Sequence, residues 1–156
     1  MQGINVLRIG MVLLALALAV GCASGVAQQQ VGVDKARPMA AEWAQLRQAK
    51  GHFAGGEWRQ DLDAWQGRKH QLMQELAAEV LAARSDTSAV LALLGEPDAS
   101  VTVDQADYAD WQRRTEWQGS PGPLLWSYHL RGQHDQLLMA FSEGRVSAVG
   151  WLYAWE

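Results

Sequence analysis

The chain has 156 residues, of which 49% are hydrophobic and 19% are charged. That is the length of one ordinary domain, with enough apolar residues to bury a core. The net charge of −4 argues against a general nucleic-acid binder, which needs a basic face. A single cysteine excludes an internal disulfide framework and a cysteine-based zinc site.

The amino terminus has the pattern of an export signal. Ile9–Val20 is an apolar run that is shorter than the roughly 20 residues of a membrane span and matches the central region of a signal peptide. Small residues and Cys22 follow directly, and this arrangement resembles the lipobox of bacterial lipoproteins. The resemblance implies removal of residues 1–21 and acylation of Cys22. Ala23 after the cysteine implies sorting to the outer membrane rather than the inner membrane. The alternative is an ordinary signal peptide with an incidental cysteine.

The segment after the cysteine is small and polar up to Arg37. We therefore predict a flexible tether over residues 22–37 and a single domain over residues 38–156. A first helix is predicted over Pro38–Lys50, since proline is favoured in a first helical turn.

Three further helical patterns follow. Trp58, Leu62 and Trp65 recur at spacings that place them on one face of a short helix or turn. Arg68–Arg84 carries a continuous apolar stripe of helical period, which is the clearest helix signal in the chain. Ala89–Leu94 is a short helix with cap candidates before it, and its structural stop is Gly95 together with Pro97.

Beyond this stop the pattern changes to the two-residue alternation of strands. A short strand is predicted around Val101 and Val103, and Asp104–Gly122 is predicted to be a polar loop. Three alternating runs joined by short turns, over 124–131, 137–141 and 146–155, predict an antiparallel meander. The predicted fold class is α+β, with two to three N-terminal helices packed on a three- to four-stranded antiparallel sheet.

The order of these elements resembles a known family. The helix that ends in Leu93-Leu94-Gly95-Glu96-Pro97, the Trp126-Ser127-Tyr128 strand, and Leu137–Phe141 followed by Gly144-Arg145-Val146 are similar to the SmpA/OmlA (BamE) family and to domains built like the β-lactamase inhibitor protein. The resemblance covers about residues 86–153. It implies an outer-membrane lipoprotein without enzymatic activity that assists β-barrel assembly. The helix over Arg68–Arg84 and the loop over Asp104–Gly122 are longer than in that family.

Candidate catalytic and metal-binding groups are few. His70 with Asp61 or Asp63 is the one arrangement that suggests catalysis, but no serine elbow accompanies it. We expect His70 instead to cap or hydrogen-bond the Trp58–Trp65 segment onto the following helix. No metal site and no cofactor are predicted. The two weak alternatives are an acidic loop and a histidine pair: Asp98, Asp104, Asp107, Asp110 and Glu116 for the loop, and His129 with His134 for the pair.

The candidate binding face is aromatic. It consists of Trp151, Tyr153 and Trp155 on the last strand, with Trp126 and Tyr128 on a neighbouring strand. Two interpretations remain open. These rings form core under the helices, or they form an exposed platform while Ala148, Gly150 and Ala154 face the helices.

Three functions follow as expectations. The first is a non-enzymatic lipoprotein on the periplasmic face of the outer membrane, attached by lipid and acting through an envelope protein partner, with no nucleic acid. The second is an envelope ligand-binding module that uses the aromatic sheet face. The third, an enzyme based on His70, is the weakest.

Overall fold

The structure is a computed structural model that describes residues 36–153. The predicted signal peptide, Cys22, Ala154 and Trp155 lie outside this range. The helices of the described part are α1 over 36–48, α2 Gln60–Asp63, α3 Arg68–Ala82, α4 Thr87–Leu94 and α5 Tyr108–Arg114, with a 3₁₀ turn at His52–Ala54.

Helix α1 packs across the end of α4. Ala36 is already helical and fully buried, so the folded part includes residues 36 and 37, which the sequence analysis assigned to the tether. Trp43 is buried, and its indole Nε1 donates to the carbonyl oxygen of Leu94 at 2.9 Å. Arg47 Nη1 donates to the same oxygen at 2.7 Å. Two side chains of α1 thus satisfy a carbonyl at the end of α4 that has no partner within that helix.

Helices α3 and α4 follow the sequence signals closely. The apolar stripe of α3 is buried, and the helix ends at Ala82 rather than Arg84, which adopts a positive φ of 47°. Asp86 caps α4 by accepting from the Ala89 backbone N–H at 2.9 Å. Gly95, with φ of 76°, ends α4, and its N–H bonds to the Leu91 carbonyl at 2.9 Å. The predicted stop at Gly95 is confirmed.

The fold class is α+β as predicted, but the antiparallel sheet within residues 36–153 has five strands rather than three to four. The order across the sheet is β1-β3-β4-β5-β2, in which β3, β4 and β5 form the predicted meander. The loop predicted over Asp104–Gly122 is wrong, because that segment contains α5 and an edge strand that pairs with β5. The strands are β1 Ala99–Thr102, β2 Glu116–Gly119, β3 Leu124–His129, β4 Asp135–Ser142 and β5 Arg145–Tyr153.

Each face of the sheet has its own core, since side chains alternate along a strand. The larger core lies between the sheet and the helices α1, α3 and α4. The smaller core lies on the opposite face, where Tyr108 and half-buried Trp111 of α5 pack near Ala148. The larger core includes Trp43, Leu72, Leu76, Tyr128, Leu137, Met139 and Phe141, and the smaller one Val101, Tyr108, Leu125, Ala140 and Ala148.

Candidate interaction surface at one end of the sheet

The segment between α1 and α3 is organised by one buried carboxylate. Asp63 Oδ2 accepts from the backbone N–H of His52 at 3.1 Å and of Arg59 at 2.8 Å. Gly51 lies directly against it, and a Cβ at position 51 would come within 2.5 Å of Asp63 Oδ1. Asp63 therefore fixes the start of the 3₁₀ turn and the start of α2 together.

This segment carries most of the exposed large apolar side chains. Trp58 is 54% exposed, Trp65 42% and Phe53 38%; among the described residues only Val103, at 60%, is comparable. The rings of Phe53 and Trp58 are 6.5 Å apart between centroids, and Phe53 lies 5.6 Å from His134 in the β3–β4 turn. Together with their neighbours they form a group that we call the aromatic end: His52, Phe53, Trp58, Trp65, Arg131, His134, Trp151 and Tyr153.

Arg131 joins the two halves of the aromatic end. Its guanidinium carbon lies 5.9 Å from the ring centroid of Phe53 and 5.9 Å from that of Trp65, within the range of cation–π attraction. The same guanidinium is paired with the buried carboxylate of Asp135. Because the charge is held by this pair, the cation stays in one place between the two aromatic groups.

His70 holds Trp65 in position. Its ring lies 4.0 Å from the Trp65 ring between centroids, and its Nδ1 accepts the Gln66 backbone N–H at 3.0 Å. The expected bond between His70 and the preceding segment is thus confirmed. An accepting Nδ1 places the proton of the neutral ring on Nε2, and this buried atom has no hydrogen-bond partner within residues 36–153. Burial lowers the pKa of His70; Asp135 opposes that shift and Arg131 adds to it.

The predicted aromatic face is divided by the structure. Trp151 and Tyr153 belong to the aromatic end, where both contact Trp65, at 5.9 Å and 5.5 Å between centroids. Tyr128 has no exposed surface, and its hydroxyl donates to the Gly95 carbonyl at 3.0 Å. Trp126 and Trp151 are both partly buried against the larger core, so Trp151 lies between that core and the exposed rings of the aromatic end.

Two corrections follow for that face. Tyr128 is core and cannot form part of an exposed platform. The arrangement in which Ala148 faces the helices is wrong, because Ala148 belongs to the smaller core on the opposite face. Sequence reasoning did not include Phe53, Trp58, Trp65 or Arg131 in the binding face. The sequence signals for the three aromatic residues were their density in a segment broken by Gly55-Gly56 and the spacing of the two tryptophans, and Arg131 had none.

The other candidate sites are not assembled. Within the described residues no group of three or more metal-ligating side chains occurs. Asp98 is paired with Arg47, Asp110 with Arg113 and Arg114, and His134 contacts Phe53. Asp61 is paired with Arg59. Asp104 accepts a hydrogen bond from the Thr102 hydroxyl, and Asp63 accepts from backbone N–H groups.

No carboxylate within residues 36–153 is hydrogen-bonded to His70 so as to orient it for catalysis. Its Nδ1 is bonded to a backbone N–H and its Nε2 to no described group, whereas a catalytic imidazole of the triad type is oriented by an acid.

None of the helices within 36–153 has the length and apolar character that crossing a bilayer requires. Comparison of the chain with protein-family models, with curated proteins and with solved structures finds no match.

Proposed function

We propose that this chain is a non-enzymatic lipoprotein that is anchored through Cys22 at the periplasmic face of the outer membrane and binds another envelope protein through its aromatic end. The single observation that carries the proposal is the exposed aromatic group in which Phe53 and Trp65 lie against Arg131 and Trp58 lies against Phe53. Aromatic residues and arginine are the residue types that dominate binding energy at protein interfaces.

The aromatic end is suited to binding because it is held in place before any partner arrives. Asp63 fixes the backbone on which Phe53 and Trp58 stand, and His70 supports Trp65 from below. Arg131 is fixed by Asp135. A surface whose side chains are already ordered loses less conformational entropy on association.

The membrane part of the proposal depends on the sequence alone. The lipobox supports acylation of Cys22, and more than one acyl chain on one residue gives stable anchoring. The order of α4, β3, β4 and β5 is compatible with the BamE-like resemblance. Helix α5 and the edge strand β2 exceed the elements expected from it, so a role in barrel assembly is the specific form of the proposal that needs its own test.

Crosslinking in the cell tests the binding surface. A photoreactive residue at position 58 should capture a protein from the envelope. The control is the same residue at Val103, which is equally exposed but lies beyond the other end of β3, roughly 20 Å away along a strand of six residues. Equal adducts at both positions, or none at position 58, would contradict the proposal.

Two variants separate the parts of the proposal. Trp58→Ala should abolish the adduct formed from a photoreactive residue at position 53. Its free energy of unfolding should differ from that of the original chain by no more than about 0.5 kcal/mol, as for other exposed positions.

Cys22→Ser should remove the protein from the membrane fraction without changing its fold. Barrel-assembly subunits among the captured proteins would support the BamE-like role.

A ligand-binding module is the second candidate. The exposed indole of Trp65 stands beside the nearly parallel rings of Trp151 and Tyr153, and exposed aromatic rings also bind flat or amphipathic ligands. A tryptophan fluorescence shift on addition of an envelope glycan or lipid fragment, lost in a Trp65→Ala variant, would favour this candidate over protein binding.

A further inference from the structure

A polar cleft lies next to the aromatic end but is distinct from it. It has a volume of about 200 Å³ and lies between the end of α1, the start of α3 and the β3–β4 turn. Phe53 and Ala54 line one side. The charged and polar lining includes Arg47, Asp63, Lys69, Asp98 and His129.

Lys69 has an unusual set of partners for a lysine. Its Nζ donates to the Leu130 carbonyl oxygen at 2.8 Å, and none of the ion pairs among residues 36–153 includes it. The two carboxylates that line the cleft are bonded to other donors. Asp63 accepts backbone N–H groups, and Asp98 accepts from Arg47 at 2.9 Å and from the His129 backbone N–H at 2.7 Å.

These surroundings favour the uncharged amine. Burial removes water from Nζ, and only a neutral carbonyl replaces it at hydrogen-bond distance. Burial accordingly lowers the pKa of Lys69; the carboxylates of Asp98 and Asp63 oppose that shift and Arg47 adds to it. An uncharged amine can still donate one N–H to Leu130, and its lone pair is then free to face the cleft.

We propose that Lys69 is a reversible covalent site for small aldehydes that enter this cleft. The nitrogen lone pair attacks the carbonyl carbon and the carbonyl π electrons pass to oxygen. A proton moves from nitrogen to oxygen, which gives a carbinolamine. The hydroxyl then leaves as water with one more proton, and the nitrogen loses its remaining proton as the C=N bond forms. Amine and aldehyde thus become imine and water, with no oxidant or reductant required.

The cleft limits the ligand and supplies a proton carrier. A volume of about 200 Å³ corresponds to roughly six water molecules, so the site suits aldehydes of a few heavy atoms. His129 lines the same cleft, and its imidazole can carry the proton that the leaving water requires. Burial lowers the pKa of His129, with Asp98 opposing the shift, so this ring is neutral and can accept a proton at neutral pH.

Trapping with propanal tests the site on the whole protein. The chain is incubated at about pH 7 with propanal and cyanoborohydride, which reduces an imine to a stable propylamine, and the labelled lysines are identified by peptide mass spectrometry. The internal control is Lys50, which is exposed in the same region of the fold. Lys69 should gain the propyl group at least about twofold faster than Lys50, and this ratio should fall as the pH is raised above about 10.4, the ordinary pKa of a lysine amine, because a lowered pKa then no longer gives an advantage. Labelling of Lys69 no faster than that of Lys50 at pH 7 would overturn the proposal.

A variant that fills the cleft distinguishes binding in the cleft from simple amine reactivity. Ala54 is exposed at the cleft wall, so Ala54→Met adds bulk there without removing a buried contact. It should slow labelling of Lys69 and leave Lys50 unchanged. An unchanged rate at Lys69 would show that the aldehyde does not enter the cleft, and the assignment would fail. The test is independent of what binds the aromatic end.

Discussion

Helix α3 and the preceding segment over 51–67 are neighbours in the chain, but α3 buries its large apolar side chains whereas the segment leaves its tryptophans exposed. In α3 the apolar stripe, which includes Leu72 and Leu76, is fully buried. In the preceding segment Trp58 and Trp65 remain largely exposed, and polar contacts from Asp63 and His70 maintain the conformation. Burial of apolar surface holds the first region and hydrogen bonds to buried polar groups hold the second. The comparison shows that exposed aromatic side chains can be ordered when the buried polar groups next to them are held by hydrogen bonds.

The largest expected effect on stability comes from a substitution in the buried apolar stripe of α3. Leu76→Ala leaves a cavity among fully packed side chains, because Leu76 has no exposed surface. We expect a loss of about 2–5 kcal/mol in the free energy of unfolding, measured by urea denaturation. Gln74→Ala, at an exposed position of the same helix, should change it by no more than about 0.5 kcal/mol. Equal losses of free energy of unfolding in the two variants would mean that burial of the apolar stripe does not stabilise α3.

A smaller effect is expected from the polar support of the aromatic end. Asp63→Ala leaves the backbone N–H groups of His52 and Arg59 without their acceptor and should cost about 1–3 kcal/mol. Asp61→Ala removes an exposed ion pair with Arg59 and backbone contacts in the first turn of α2, and buries no unpaired group. It should cost about 0–1 kcal/mol. If Asp63→Ala proves as mild as Asp61→Ala, the segment is held by something other than this carboxylate.

The smallest effect is a dependence on pH. The folded-state pKa of His70 is lowered by burial, so the unfolded chain, with a histidine pKa of about 6.5, binds the proton more readily. The part of the free energy of unfolding that depends on an uncharged His70 is therefore fully present above about pH 6.5. It is lost as the pH falls below that value, by at most about 1.4 kcal/mol per pH unit for one proton. Urea unfolding at pH 7.5 and 5.5 measures it.

The matching variant for this prediction is His70→Gln, which cannot titrate. The loss of stability on acidification should be smaller in the variant than in the original chain. Part of the loss should remain, because the pKa of His129 is also lowered by burial. Identical losses in both proteins would show that His70 does not carry the dependence.

Helices α1, α3 and α4 and the meander could be predicted because their apolar residues recur with the period of a helix or of a strand. The stripe of Arg68–Ala82 and the stop at Gly95 are local signals. Strand β2 carries no such signal: Glu116–Gly119 has no apolar alternation and is a strand because its backbone pairs with Ala148–Trp151 of β5. An edge strand of this kind is defined by its neighbour, which a local pattern does not contain.

The aromatic end was harder to predict for a related reason. The spacing of Trp58, Leu62 and Trp65 would place all three on one face of a continuous helix. In the structure α2 ends at Asp63, Ala64 is extended and Gln66 has a positive φ of 63°. Leu62 is consequently buried while both tryptophans remain exposed. Contacts of the Asp63 carboxylate with the backbone at Gly51, His52 and Arg59 decide this ending. They join positions that sequence periodicity treats separately.

The contacts of α1 with the end of α4 acquire a mechanical meaning if the chain is held by its amino terminus. A force applied there enters through α1, which is joined to the end of α4 by the bonds of Trp43 and Arg47 to the Leu94 carbonyl and to α3 by the ion pair of Glu42 with Arg68. Tyr128 connects the end of α4 to the middle of the sheet through the Gly95 carbonyl. Tension at the amino terminus is thus shared between two helices and the sheet, and the apolar side chains that α1 buries in the larger core carry part of it.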